Sequence, residues 1–370
     1  MACTRRSTAR HSWRQRETCR FAARVPSCRT GTSSVEVEHL SRHGWAIVKL
    51  PPRVVRLGQR VRECMLPFFS GTIAEKDRFR TRQQGEKVLS HPGYLTPSPG
   101  WAELFEVRRS CKDHSYRFPP GCEGPLYELF DALRELALHW LSVISFHLCG
   151  DAGALHSLVA TDTGPSVMRV IHYDQVPALA QQLTELPTEL REQGERRLIA
   201  GFPTHTDGSM LTIAPRASCS GLAIRDYATC QWKYVERNMA EDEAVVFCGD
   251  PLSFVARHHF PAAMHRPDGK EMARQSPQQR LSMPFFLYPD SDAVLDSNIT
   301  KHTLRAADGH SALTALPSPQ LSVADLKLNV GGCRMNWPWK KERYYSGLVL
   351  ADDANPFPGE MDSYQKREGY

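Results

Sequence analysis

A mainly β fold with flanking helices, built as an antiparallel barrel or sandwich, is what this sequence predicts, and two patterns carry that prediction. Downstream of residue 165 the chain breaks into short apolar runs at 167–173, 209–214, 221–226, 244–248 and 281–288, separated by Gly, Pro and Asp turns. Upstream, the clearest periodic segment is helical: Leu126, Leu129, Phe130, Leu133, Ala137, Trp140, Leu141, Ile144 and Leu148 recur at three- and four-residue spacing and form one broad apolar stripe. That helix is a packing element with no chemistry of its own.

Taken in order, the chain opens with a basic stretch in which Arg5, Arg6, Arg10, Arg14, Arg16, Arg20, Arg24 and Arg29 are opposed only by Glu17. Its Arg-, Ser- and Thr-rich composition fits an organelle transit peptide, and a disordered tail or a wrongly assigned start codon would look similar. His43–Leu50 reads as a strand closed by Pro51-Pro52. Between Asp174 and Arg197 lies a polar insert that reads as an extra surface helix, and from about Asp352 the chain is polar and Pro-containing. The expected organisation is a tail over 1–33, one catalytic domain over 34–350 with a helical and mixed part (34–150) and a β core (165–290), and a polar tail over 351–370.

Composition excludes several classes. With 370 residues, 41% hydrophobic and 24% charged, the chain has material for a sizeable core. A net charge of +5, concentrated in the opening tail, gives nucleic-acid binding little support. The most apolar stretch, 126–149, is interrupted by Arg134, Glu135, His139 and His147, so no membrane span is expected. Eleven cysteines are scattered singly with no CxxC pair, which reads as reduced thiols rather than disulfides or a zinc site. A soluble, cytoplasmic protein is expected, with organelle targeting as the alternative that the basic opening allows.

Chemistry concentrates at Pro203-Thr204-His205-Thr206-Asp207-Gly208-Ser209, where a His and an Asp stand two apart at the start of a strand. Period-two geometry turns both side chains to one face, where they can share a metal ion. Alone the pattern is weak, and His172-Tyr173-Asp174 repeats it. Only the first has the right company: a Gly249-Asp250 turn, His265-Arg266 sixteen residues past Gly249, and then Arg280-Leu281-Ser282 opening a further strand. His258 and His259 lie nearer the turn and read as loop residues.

With Gly221-Leu222-Ala223-Ile224-Arg225 included, this ordered set resembles the isopenicillin N synthase-like family of 2-oxoglutarate- and Fe(II)-dependent dioxygenases. That family's pattern is HxD, a Gly-Leu-x-[VI]-[RK] strand, a Gly-Asp turn, a distal His usually followed by Arg, and RxS. Phe68-Phe69 with Lys76, Gly93-Tyr94 and Trp101-Ala102-Glu103-Leu104-Phe105 are similar to the family's N-terminal region, so the resemblance covers roughly 35–345. It departs at Ala256-Arg257-His258, where the family often has Ser/Thr-Asn-Gly, in the long insert before His205, and at Asp174, which replaces a common Pro.

The resemblance implies a double-stranded β-helix, a distorted jelly roll. It implies iron held by His205, Asp207 and His265, a facial triad that leaves three adjacent coordination positions open. It implies 2-oxoglutarate as cosubstrate, its distal carboxylate on the planar fork of Arg280 beside the hydroxyl of Ser282, with Tyr173 as a third donor. Dioxygen is the other cosubstrate, and a small organic molecule is hydroxylated or desaturated while 2-oxoglutarate goes to succinate. Two alternatives stay open: an iron-dependent oxidase of the same fold that does without 2-oxoglutarate, and a catalytically silent binding protein.

Overall fold

The computed structural model describes residues 34–80, 92–98, 102–109, 117–160, 165–173, 204–274, 279–290, 293–296 and 321–322. The chain divides into Met1–Ser33 and Ser34–Tyr370. The basic opening, the insert after Asp174 and the polar end therefore lie outside the described residues.

The strands in chain order are β1 (Trp45–Lys49), β2 (Gly93–Ser98), β3 (Ala102–Arg108), β4 (Val167–Tyr173), β5 (Leu211–Pro215), β6 (Leu222–Arg225), β7 (Trp232–Tyr234), β8 (Glu243–Cys248), β9 (His265–Pro267), β10 (Arg280–Ser282), β11 (Phe285–Leu287), β12 (Val294–Leu295) and β13 (Leu321–Ser322). Eight form one antiparallel sheet in the order β1-β8-β5-β11-β4-β3-β2, with β10 also on β4. A second antiparallel sheet runs β7-β6-β9. Leu222 and Ile224 of the small sheet pack with Val245 and Phe247 of the large one, so the two sheets share an interior.

The other face of the large sheet is covered by helices Pro52–Ser70 and Glu123–Cys149, and the periodicity expected for the latter is met: all nine residues of its apolar stripe are buried. Phe130 of this helix meets Phe285 of β11 edge-on at 5.1 Å. A fully buried Leu or Phe contributes about 1.5–3 kcal/mol over an exposed one, so this stripe alone fixes the helix to the sheet. No helix among the described residues is long and apolar enough to cross a membrane.

Two features differ from the sequence expectation. The single run expected over 281–288 is two strands, β10 and β11, parted at Met283-Pro284. Proline has no N–H to give a ladder, and here its carbonyl instead accepts from the Arg169 amide at 3.0 Å. The large sheet also recruits β1, β2 and β3 from the N-terminal part, where β3 lies in register on β4 from Glu103↔His172 to Arg108↔Val167. The β core is thus not confined to 165–290.

Candidate metal centre

Alternation along β4 sorts its side chains into two environments. Met168 and Val170 enter the helix-covered core, and His172 stacks on Phe69 of helix Pro52–Ser70 with ring centroids 4.9 Å apart. Arg169, Ile171 and Tyr173 face the interior between the sheets, as does Thr212 of β5.

His205, Asp207 and His265 are brought together at the rim of this interior. One ligand atom from each lies within 4.8 Å of the others. His205 Nε2 and His265 Nε2 stand 3.6 and 3.7 Å from Asp207 Oδ1, and the imidazole rings are 4.4 Å apart. The two histidines face each other because His205 forms an isolated antiparallel bridge with His265 of β9, each amide donating to the other's carbonyl at 3.0 and 2.8 Å.

The surroundings select which atoms remain available. His265 Nδ1 meets the Ala263 carbonyl at 3.1 Å, so Nδ1 carries the proton and the Nε2 lone pair points at the cluster. Thr212 Oγ1 donates to Asp207 Oδ2 and is itself in contact with Ser209 Oγ at 2.9 Å, leaving Oδ1 toward the histidines. Phe247 packs 4.7 Å from the His265 ring and shields one side. Two imidazole nitrogens and a carboxylate oxygen on one side of a point are the donor set that suits Fe(II) with open positions opposite.

The Gly249-Asp250 turn is the clamp under this segment. Gly249 N donates to Met210 O at 3.1 Å and Asp250 N to Asp207 O at 2.8 Å. A Cβ on Gly249 would sit 1.9 Å from the Ser209 carbonyl oxygen and 2.8 Å from that of Asp207, so only glycine lets the two backbones approach this closely.

Arg280, Ser282 and Tyr173 also meet. Register puts Arg280 opposite Tyr173 and Ser282 opposite Ile171, and the Arg280 guanidinium lies over the Tyr173 ring at 5.0 Å. Burial pushes the Tyr173 phenol above its ordinary range, opposed by the Arg280 charge and by hydrogen bonding to Ser282 and Arg280. Glu236, which the sequence reading missed, is the residue that orients the guanidinium. Arg280 Nη2 donates to both Glu236 oxygens, at 2.9 and 3.0 Å, and Glu236 also accepts from the amides of Gly221 and Leu222 at 2.8 Å each. Burial alone would weaken the charge on Arg280, but the Glu236 carboxylate outweighs it and holds the guanidinium firmly protonated. Arg280 Nε, buried, has no acceptor among the described residues. Gly221 lies against this side chain, where a Cβ would come within 2.7 Å of Arg280 Cδ and Nε, which gives the glycine of the Gly-Leu strand its reason. In sequence, Glu236 carried no signal beyond being an acid near a tryptophan.

The remaining candidates fall elsewhere. His172 has both ring nitrogens engaged, Nδ1 with Glu103 at 3.1 Å and Nε2 with Gln279 at 3.1 Å, while Asp174 lies outside the described residues. Lys76 and Glu103 form a buried ion pair at 2.7 Å that Tyr94 joins through a 2.6 Å hydrogen bond, a structural role. His258 bonds Ser253 at 2.9 Å, and His259 stacks near His147, both away from the triad. Arg225 lies opposite Trp232 while its neighbour Ile224 lies opposite His265, so Arg225 points to the outer face of the small sheet.

No family model matches the chain. A stretch of 162 residues, 44% of the chain, is 25% identical to the 2-oxoglutarate-dependent dioxygenases citB of Monascus ruber and mpl2 of Monascus purpureus, and spans 43% of the length of each. Among solved structures, a full-length Neurospora crassa protein in complex with alpha-KG is similar over 80% of this chain and 89% of that one, with a TM-score of 0.60 and 17% identity. JOX2 in complex with 2OG, Fe and JA matches over 80% of each chain, with a TM-score of 0.56 and 17% identity. The dioxygenase for auxin oxidation in rice matches over 80% of this chain and 89% of its own, with a TM-score of 0.54 and 16% identity. The chain thus has the jelly-roll fold of the 2-oxoglutarate- and Fe(II)-dependent oxygenases, the family that it resembles in sequence.

Proposed function

We propose that this protein is an Fe(II)- and 2-oxoglutarate-dependent oxygenase that hydroxylates or desaturates a small organic molecule. The convergence of His205, Asp207 and His265 within 4.8 Å, on the same interior as Tyr173, Arg280 and Ser282, carries the reading. His205, Asp207 and His265 would hold the iron, and Arg280, Ser282 and Tyr173 the distal carboxylate of 2-oxoglutarate. Bound there, the iron would supply oxidation of a substrate C–H bond by dioxygen, coupled to decarboxylation of 2-oxoglutarate to succinate.

The chain's own residues do the rest. Ala263 fixes the His265 tautomer, Thr212 fixes which Asp207 oxygen faces inward, and Phe247 keeps water from one side of the His265 ring. Glu236 presents Arg280 in one orientation, beside two hydroxyl donors. The test is succinate release from 2-oxoglutarate by anaerobically iron-loaded protein once oxygen is admitted, screened with metabolite pools. Release is expected in the wild type and not in Asp207→Ala, and its absence from the wild type would contradict the reading.

One observation favours the second reading, an oxidase of the same fold that does without 2-oxoglutarate. Glu236 already neutralises Arg280, so a cosubstrate carboxylate arriving there meets a guanidinium shared with a fixed anion. Iron-dependent oxygen consumption without 2-oxoglutarate would select that reading.

A further inference from the structure

We propose that Arg169 anchors a carboxylate of the primary substrate. The inference rests on the oxygenase reading above and deepens it by naming the substrate class: small organic acids.

Arg169 stands on the interior face of β4, in the middle of the large sheet, with β3 on one side and β11 on the other. Its guanidinium lies 5.3 Å from the Phe286 ring, and Phe286 is directly across from Thr212, whose hydroxyl holds Asp207. Arg169 is therefore linked to the proposed metal ligand through two side-chain neighbours. Tyr173 and Arg280 occupy the far end of the same strand face, four residues on, which is roughly 13 Å at about 3.3 Å per residue. A molecule held at Arg169 and a cosubstrate held at Arg280 would use different ends of the interior.

Charge and hydrogen bonding single out this arginine. Glu106, fully buried, accepts from Arg108 Nε at 2.6 Å and from Arg169 Nε at 2.9 Å. Among the described residues one carboxylate thus faces two guanidinium groups. Arg108 also reaches the Pro165 carbonyl, at 3.4 Å. Arg169 uses only Nε, and its two terminal nitrogens donate to no described residue. Burial would weaken the charge on Arg169, yet the Glu106 carboxylate outweighs it and keeps the group a permanent cation.

With flanking strands on both sides, the 25% of the Arg169 side chain left exposed opens to the interior. Arg280 differs in that one of its terminal nitrogens is already shared by both oxygens of Glu236, whereas Arg169 is held through Nε and keeps both terminal nitrogens clear of described acceptors. A planar fork with two parallel N–H groups, backed by an aromatic face, fits a carboxylate, and a lysine would not reproduce it.

The experiment compares acids with their own methyl esters. Fe(II)-loaded protein under argon is given 2-oxoglutarate, its visible metal-to-ligand charge-transfer band is recorded, and calorimetry then follows binding of a size series from phenylacetate through straight-chain acids to fused-ring aromatic acids. Acids that fit should bind at least about tenfold more tightly than their esters, the loss expected when a desolvated charge pair is broken. Arg169→Gln should abolish the preference while iron binding and the band persist, and Arg169→Lys should keep part of it. Because Glu106 keeps Arg108 in Arg169→Gln, the variant is expected to fold, and the wild-type comparison needs no variant at all. No acid preferred over its ester anywhere in the series, or a preference that survives Arg169→Gln, overturns the proposal. A missing band with the acid preference intact would sink only the 2-oxoglutarate reading.

Discussion

His172 and His205 begin the chain's two His-x-Asp strings, and the structure gives them opposite fates. His172 is buried on the helix side of β4, with Glu103 and Gln279 on its two ring nitrogens and Phe69 stacked on its face. His205 lies on the interior side, partly exposed, with Nε2 turned toward Asp207 and His265. What separates them is what the neighbouring strands bring. β3 delivers a carboxylate to His172, backed by Lys76 of the short helix Ile73–Lys76, while β9 delivers a second imidazole to His205. Hydrogen bonds to both ring nitrogens make a structural histidine, and an imidazole nitrogen turned toward a carboxylate and a second imidazole makes a ligand.

The strongest way to break this comparison is at the triad. Asp207→Ala or His265→Ala should abolish turnover and weaken metal binding beyond the roughly 10–100-fold that changes to outer-shell groups cost. His258→Ala should leave both unchanged. Metal titration by calorimetry reads the difference, and retained binding in His265→Ala would mean that the third ligand lies elsewhere.

At the structural histidine the expected loss is in stability. Burial pushes the Glu103 carboxyl up, but hydrogen bonds from His172, Lys76 and Tyr94 outweigh it and hold it below its ordinary value of 4.5. Glu103→Gln leaves Lys76 buried without its partner, at a cost of about 3–5 kcal/mol in denaturant unfolding, with metal affinity unaltered. Since the folded carboxyl titrates lower than the unfolded one, this stabilisation is present above pH 4.5 and fades as pH falls through the lowered value. The variant's acid limb should accordingly be flatter than the wild type's.

Arg280→Ala should lower affinity for 2-oxoglutarate by more than tenfold, corresponding to about 2–5 kcal/mol for an unpaired buried carboxylate, while iron binding survives. Arg280→Lys should fall between. The smallest effect sharpens the account of the ligand shell: Thr212→Val removes the hydroxyl that orients Asp207 and should weaken metal binding about 10-fold, at the low end of outer-shell effects.

Much of this was legible in the sequence because it is written in short-range spacing. The stripe from Leu126 to Leu148 follows period 3.6 and Arg280 and Ser282 period two, whereas His205 and Asp207 converge although the expected strand begins only at Leu211, after both of them. Gly249 and Gly221 were readable as motif members, though their cause, backbone against backbone and backbone against Arg280, shows only in three dimensions. Long-range partners left no local trace. Glu236 reaches Arg280 across 44 residues and Glu106 reaches Arg169 across 63, and neither acid differs in its own neighbourhood from a surface residue. Arg257 and His258 hold left-handed backbone angles, φ 50° and 64°, where the family often has Asn-Gly, so the departure in sequence did not remove the turn. The apolar run continues through Pro284, so the break between β10 and β11 leaves no mark in the hydropathy pattern.

The most direct measurement is an anaerobic titration of the Fe(II) protein with 2-oxoglutarate, followed in the visible spectrum. The account predicts a metal-to-ligand charge-transfer band that saturates in the wild type, is lost in His265→Ala for want of iron, and shifts to higher 2-oxoglutarate concentration in Arg280→Ala. A wild-type spectrum that stays flat at millimolar 2-oxoglutarate, with iron demonstrably bound, would contradict it.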